Sequence, residues 1–87
     1  MSIRIQRNEL PPGPAEAVAK GILSAIGDGE AGGSWNVDIT SEDRAYAWDV
    51  EVVGPNRFYW ARRFSGEDRD AQVISAAVRS AVLDRAA

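Results

Sequence analysis

Three short runs in the middle of the chain alternate bulky and polar side chains with a period of two. Trp35, Val37 and Ile39 share one parity, as do Tyr46, Trp48, Val50 and Val52, and as do Phe58, Trp60 and Phe64. Aromatic and β-branched residues at this period predict strands with one buried face. The strands are expected over about 34–40, 45–53 and 57–64, joined by Ser41-Glu42-Asp43-Arg44 and by Gly54-Pro55-Asn56. Pairing Thr40 with Ala45 sets Ile39 against Tyr46, Val37 against Trp48 and Trp35 against Val50, so inward residues meet inward residues. Pairing Val52 with Trp60 aligns Trp48 with Phe64 and Asp49 with Arg63. It leaves Arg62 opposite Val50 on the inward face, where the side chain snorkels at the rim or the strand bulges.

Helical spacing flanks these runs. Val18, Ile22, Ala25 and Ile26 predict a helix from about Pro14 to Ile26. Pro14 suits its first turn, Glu16 complements the dipole and Gly27 is a stop signal. Ala71, Ile74, Ala77, Val78, Ala81 and Val82 form the apolar stripe of a second helix, about Glu67 to Arg85. Ser65-Gly66-Glu67-Asp68 reads as its capping box, with Ser65 as N-cap. Asp70 and Arg85 place acid and base at the favourable ends. Ahead of the first helix, Leu10-Pro11-Pro12-Gly13-Pro14 breaks regular structure. Ile3 and Ile5 alternate with Arg4 and Gln6, so residues 1–13 are a short edge strand or a loose arm. Residues 14–87 are expected to form a single α+β domain of order α-β-β-β-α. This is a two-layer sandwich, with a three-stranded antiparallel meander and two helices on one face.

Composition narrows the means of stabilisation. A core drawn from 87 residues supplies about 3–5 kcal/mol. The chain has no cysteine and no histidine, so neither a disulfide nor a Cys/His zinc site reinforces it. Dimerisation or a bound partner is the remaining route. Met1 to Leu10 lacks the apolar stretch of a signal peptide, and no run approaches the roughly 18 apolar residues of a membrane span. A soluble, cytoplasmic protein is the resulting expectation.

Net charge is −3 but unevenly placed. Residues 28–51 carry Asp28, Glu30, Asp38, Glu42, Asp43, Asp49 and Glu51 against Arg44 alone, whereas residues 57–63 carry Arg57, Arg62 and Arg63 and no acid. Gly27-Asp28-Gly29-Glu30-Ala31-Gly32 matches G-x-G-x-x-G, but a dinucleotide site needs a strand before this turn and a helix after it. The order here is reversed and the acids repel phosphate, so no cofactor is expected. Asp38, Asp49 and Glu51 project from the outer sheet face, which gives no enclosure to raise a carboxylate pKa. They read as solvated partners of Arg57 and Arg63 rather than as catalytic groups, and no D-x-D-x-D-G loop offers a metal site. Arg57-Phe58-Tyr59-Trp60-Ala61-Arg62-Arg63-Phe64 interleaves basic and aromatic residues as single-stranded nucleic-acid binders do. Parity leaves only Arg57, Tyr59 and Arg63 outside, among the acids.

The order α-β-β-β-α over Pro14 to Arg85 resembles the double-stranded RNA-binding domain in topology. That family grips phosphates with a lysine-rich start to its last helix, where this chain has Glu67-Asp68-Arg69-Asp70. Its first strand turn reaches the minor groove, where this chain has Ser41-Glu42-Asp43-Arg44. Both places carry the wrong sign, so the activity does not carry over. What the resemblance implies is the shape, which also serves protein-binding modules.

Two surfaces suit a protein partner. Val73, Ala76 and Leu83 lean to the side of the second helix away from Ile74, and Ala19 and Leu23 widen the stripe of the first helix. Asp38, Glu42, Asp43, Asp49 and Glu51 form an acidic strip that steers toward a basic surface. The expectation is a small non-enzymatic protein-binding module, an accessory subunit or a small antagonist of the kind mobile elements encode, acting as a homodimer or on another chain. One alternative is a nucleic-acid-binding module using Arg57, Tyr59 and Arg63. Another is an acidic strip that imitates a phosphate row and blocks a nucleic-acid-handling protein.

Overall fold

The computed structural model describes residues 2–28, 33–42 and 46–84. Its elements run β1 (Ser2–Asn8), α1 (Pro14–Asp28), β2 (Ser34–Glu42), β3 (Ala47–Val53), β4 (Tyr59–Ser65), a single 3-10 turn (Gly66–Asp68) and α2 (Ala71–Asp84). The alternation of Ile3 and Ile5 does make a strand. It pairs in parallel with β2, so the sheet is four-stranded and mixed, in the order β1-β2-β3-β4. This corrects the three-stranded antiparallel expectation. A parallel neighbour needs a crossover, and α1 provides it between β1 and β2. Residues 14–84 keep the order α-β-β-β-α, but the added strand takes the fold beyond that topology.

One cluster forms the core. Val18, Ile22, Ala25 and Ile26 come from α1, and Ile74, Val78 and Val82 from α2. Trp35, Val37 and Ile39 come from β2, Trp48, Val50 and Val52 from β3, and Phe64 from β4. Both helices therefore pack on the same side of the sheet. On the opposite parity of β2 and β3, Asn36, Asp38, Thr40, Asp49 and Glu51 stay exposed or half-buried, while Ala47 at the start of β3 is buried. Leu10 also enters the core from the proline-rich segment, anchored where its N–H meets Asn8 Oδ1 at 3.2 Å. The helices approach closely at Gly21, where a Cβ would lie 2.9 Å from Ser75 Cβ.

The register between β2 and β3 differs from the expected one by four residues. Val37 faces Val52 and Ile39 faces Val50. A shift by an even number keeps each strand's buried parity, which is why the parity criterion could not distinguish the two. The next step along the ladder brings Trp35 level with Gly54, where a Cβ would lie 2.5 Å from Trp35 Cζ3. The indole occupies the space that a side chain would take and packs against Phe58, with ring centroids 5.3 Å apart. Pairing Trp35 with Val50 would have offered no such space. The same shift moves Tyr46 out of the strand. It is 62% exposed rather than inward, and the Arg69 guanidinium lies 5.8 Å from its ring and 5.9 Å from that of Trp48. Between β3 and β4 the register is the expected one, with Val52 opposite Trp60, Trp48 opposite Phe64 and Asp49 opposite Arg63. Arg62 faces Val50 without a bulge and rests its guanidinium 5.1 Å from the Phe64 ring centroid.

Two helix signals act elsewhere than expected. Gly27 lies within α1, with no left-handed conformation to end it. Ser65 is extended, makes no side-chain cap and precedes Gly66, whose φ of 61° breaks the path into a helix. The cap of α2 is Asp70, whose Oδ1 accepts the Gln72 N–H at 2.7 Å. Arg85 and the glycines of the 27–32 motif beyond residue 28 lie outside the described residues.

The β3–β4 turn is tight. Asn56 and Arg57 have φ of 59° and 64°, and the Phe58 N–H bonds the Pro55 carbonyl at 3.2 Å. Two left-handed residues make a hairpin turn of the type that favours Asn-Gly. Arginine occupies the glycine position here. Arg57→Gly is therefore expected to stabilise the fold by about 1 kcal/mol in urea denaturation.

Candidate functional site

The outer sheet face orders its side chains in rows set by the registers. Asp38 of β2, Glu51 of β3 and Ala61 of β4 form one row. Thr40, Asp49 and Arg63 form the next, and Asn36, Val53 and Tyr59 the one on the other side. Strand pairing thus brings Asp38, Asp49 and Glu51 together from residues up to thirteen apart in the sequence. They line a shallow concavity of about 450 Å³, open on one side, whose lining includes the small side chain of Ala61. Glu42 ends β2, but its side chain and Asp43 lie outside the described residues.

Within this face the acids are not equivalent. Asp49 holds Arg63 by two bonds, Nε to Oδ1 at 3.0 Å and Nη2 to Oδ2 at 3.3 Å. This exposed pair adds about 0–1 kcal/mol. Glu51 accepts a hydrogen bond from the Tyr59 hydroxyl at 3.0 Å. Asp38 has no side-chain hydrogen bond or ion pair to another described residue, yet it stands directly opposite Glu51. Like charges directly opposite in a sheet destabilise it.

The bond from Tyr59 and the charge of Glu51 raise the Tyr59 pKa above its ordinary value. The interaction is thus present at neutral pH and is lost as pH rises through that raised value. In a Tyr46→Phe background, ultraviolet titration of Tyr59 is expected to show an apparent pKa above about 10, and Glu51→Gln should lower it.

The basic residues proposed from sequence are placed differently from one another. Arg63 and Tyr59 direct polar atoms to carboxylates of β3, whereas Arg57 sits in the left-handed turn. Sequence reasoning missed the basic margin on the other side. β1 sets Arg4 opposite Asn36 and Arg7 opposite Asp38, and Arg7 lines the concavity. The signal was the alternation of Ile3 and Ile5, which puts Arg4 on the outer face once β1 is in the sheet. The register shift between Ile5 and Arg7 then turns Arg7 to the same face. The result is an acidic band between two arginine-bearing edges.

On α2, Val73 and Leu83 are 37% and 50% exposed, and Ala76 is exposed beside them. They lie opposite the buried Ile74, Val78 and Val82. Among the described residues no group of acids is placed to hold a metal ion, and no helix is long and apolar enough to cross a membrane. Comparison of the chain with protein-family models, with curated proteins and with solved structures finds no match.

Proposed function

We propose that this chain is a small non-enzymatic protein-binding module that docks through the outer face of its sheet onto a basic surface of another protein. The observation that carries this reading is the pairing of Asp38 with Glu51. Two carboxylates face each other across neighbouring strands, and Arg7, which stands opposite Asp38 on β1, makes no ion pair with it. A lysine or arginine entering above Ala61 would lie beside both and relieve their repulsion. Val53 and Tyr59, adjacent across β3 and β4 and 40% and 63% exposed, add an apolar and aromatic margin to the same face. An aromatic anchor beside a charged rim is the usual make-up of a binding surface. Val73, Ala76 and Leu83 offer a second, apolar surface on α2. The concavity is open, which suits docking better than chemistry that must exclude water.

Capture from a cell extract tests this, using wild type and an Asp38→Asn/Glu51→Gln variant at low and high salt. The expected outcome is a partner recovered by wild type at low salt, weakened by salt and lost in the variant. Equal recovery by both proteins would show that the acidic band only interacts with solvent. Titration with labelled RNA and single-stranded DNA checks the competing reading, which requires binding that falls steeply with salt and is lost in Arg57→Ala/Arg63→Ala.

A further inference from the structure

β4 is an edge of the sheet, so alternate backbone N–H and C=O groups of Tyr59–Ser65 point away from β3, with no strand beside them among the described residues. Proteins usually blunt such edges with a bulge, a proline, charged side chains or a covering element. The other edge, β1, has its register shift between Ile5 and Arg7. β4 has no shift in its pairing with β3 and no proline; its charges are Arg62 and Arg63, which rest on the Phe64 ring and on Asp49. It also presents aromatic surface. Tyr59 is largely exposed, while Phe58 and Trp60 are half-buried along a groove of about 400 Å³ against Ala77, Ser80 and Ala81 of α2.

We infer that this edge pairs antiparallel with β4 of a second copy of the chain, about a two-fold axis at Ala61. A two-fold interface must be self-complementary, and the sequence of β4 is so in this register. Tyr59 stands opposite Arg63 of the second copy on the outer face, and Trp60 opposite its Arg62 on the inner face. Each pairing occurs twice and sets a guanidinium beside an aromatic ring. Neighbouring registers oppose arginines to one another, although an axis at Trp60 also sets Phe58 opposite Arg62. An axis at Trp60 brings Arg57 against Arg63, and an axis at Arg62 brings Arg62 against itself. Of the arginines near the axis, Arg63 is already held by Asp49 on the outer face and Arg62 rests on the Phe64 ring on the inner one.

The pairing joins two sheets into one of eight strands with a shared outer face. The row Asp38, Glu51, Ala61 then continues into its symmetry mate. The small Ala61 pair forms the floor of a trough, with the two Glu51 side chains roughly 14 Å apart, three strand spacings. This consequence rests on the protein-binding reading above, and it extends the binding surface to a symmetric acidic trough. The pairing itself does not depend on that reading.

The chain has no cysteine, so Ala61→Cys carries a single thiol at the axis. Opposed residues in an antiparallel pair fall within the Cα separation a disulfide needs. The wild type is expected to sediment as a concentration-dependent dimer. Ala61→Cys should oxidise to a covalent dimer at least about tenfold faster than a Leu83→Cys control, given the local concentration that pairing creates. Tyr59→Lys, at an exposed position, places like charges opposite each other twice per dimer. It should raise the dimer dissociation constant at least about tenfold while the far-ultraviolet circular dichroism stays unchanged. A wild type that is monomeric at millimolar concentration, or equal oxidation of the two cysteine variants, overturns the inference. Faster oxidation of Leu83→Cys would overturn it too and place the contact on α2. Loss of the dimer with partner capture intact removes only this inference, whereas cross-linking at Ala61 with no capture removes only the binding reading.

Discussion

Gly54→Ala is expected to cost about 1–3 kcal/mol of folding stability, a large share of what a domain this size has. Alanine is normally a mild replacement for glycine, and Gly54 does not hold a left-handed conformation, so backbone strain is not the cause. The cost comes from contact. A Cβ at this position would lie 2.5, 2.7 and 2.9 Å from Trp35 Cζ3, Cε3 and Cη2. The indole cannot swing aside, because it is 1% exposed and braced by Phe58. Trp35→Ala alone is expected to cost about 3–5 kcal/mol. In that background the penalty for Gly54→Ala should largely vanish. Urea denaturation of the four proteins in this cycle measures the coupling, and additive penalties would show that the ring does not lie over Gly54.

Phe64→Ala should cost about 3–5 kcal/mol, and the loss should concentrate in one strand. Phe64 is the one fully buried side chain that β4 supplies among the described residues. Its removal also leaves the Arg62 guanidinium without the ring it rests on. β4 carries Tyr59 and Arg63, so the outer face loses the bonds from Tyr59 to Glu51 and from Arg63 to Asp49 when the strand loosens. Hydrogen exchange should rise first in residues 59–65 and spread into β3 later. Uniform acceleration across the chain would mean that β4 is not separable from the rest of the fold.

These positions show what the sequence could and could not reveal. Three strands, two helices and most of the core followed from periods of two and of three to four residues. The pairing of Asp49 with Arg63 followed from matching bulky residues on β3 and β4. The register of β2 on β3 did not, because two registers four residues apart bury the same parity and only the space above Gly54 separates them. Tyr46 was misplaced for the same reason. The parallel partner of β2 stayed ambiguous because a run carrying only Ile3 and Ile5 is too short to declare a strand by itself. Leaving β1 undecided between strand and arm left Arg4 and Arg7 unplaced, and so the basic margin beside the acids. The N-cap was misjudged because Ser65 matches the capping pattern while Gly66 turns the chain away from it, leaving the role to Asp70.

Urea denaturation of wild type and Asp38→Asn, which leaves the bond from Tyr59 to Glu51 in place, tests at low and high salt most directly whether these two carboxylates face each other at a cost to the fold. At low salt the variant is expected to be more stable by about 0.2–1 kcal/mol, with the gap closing at high salt as repulsion is screened. A variant less stable than wild type at low salt would contradict it, since the acids would then belong to the scaffold rather than await a partner's charge.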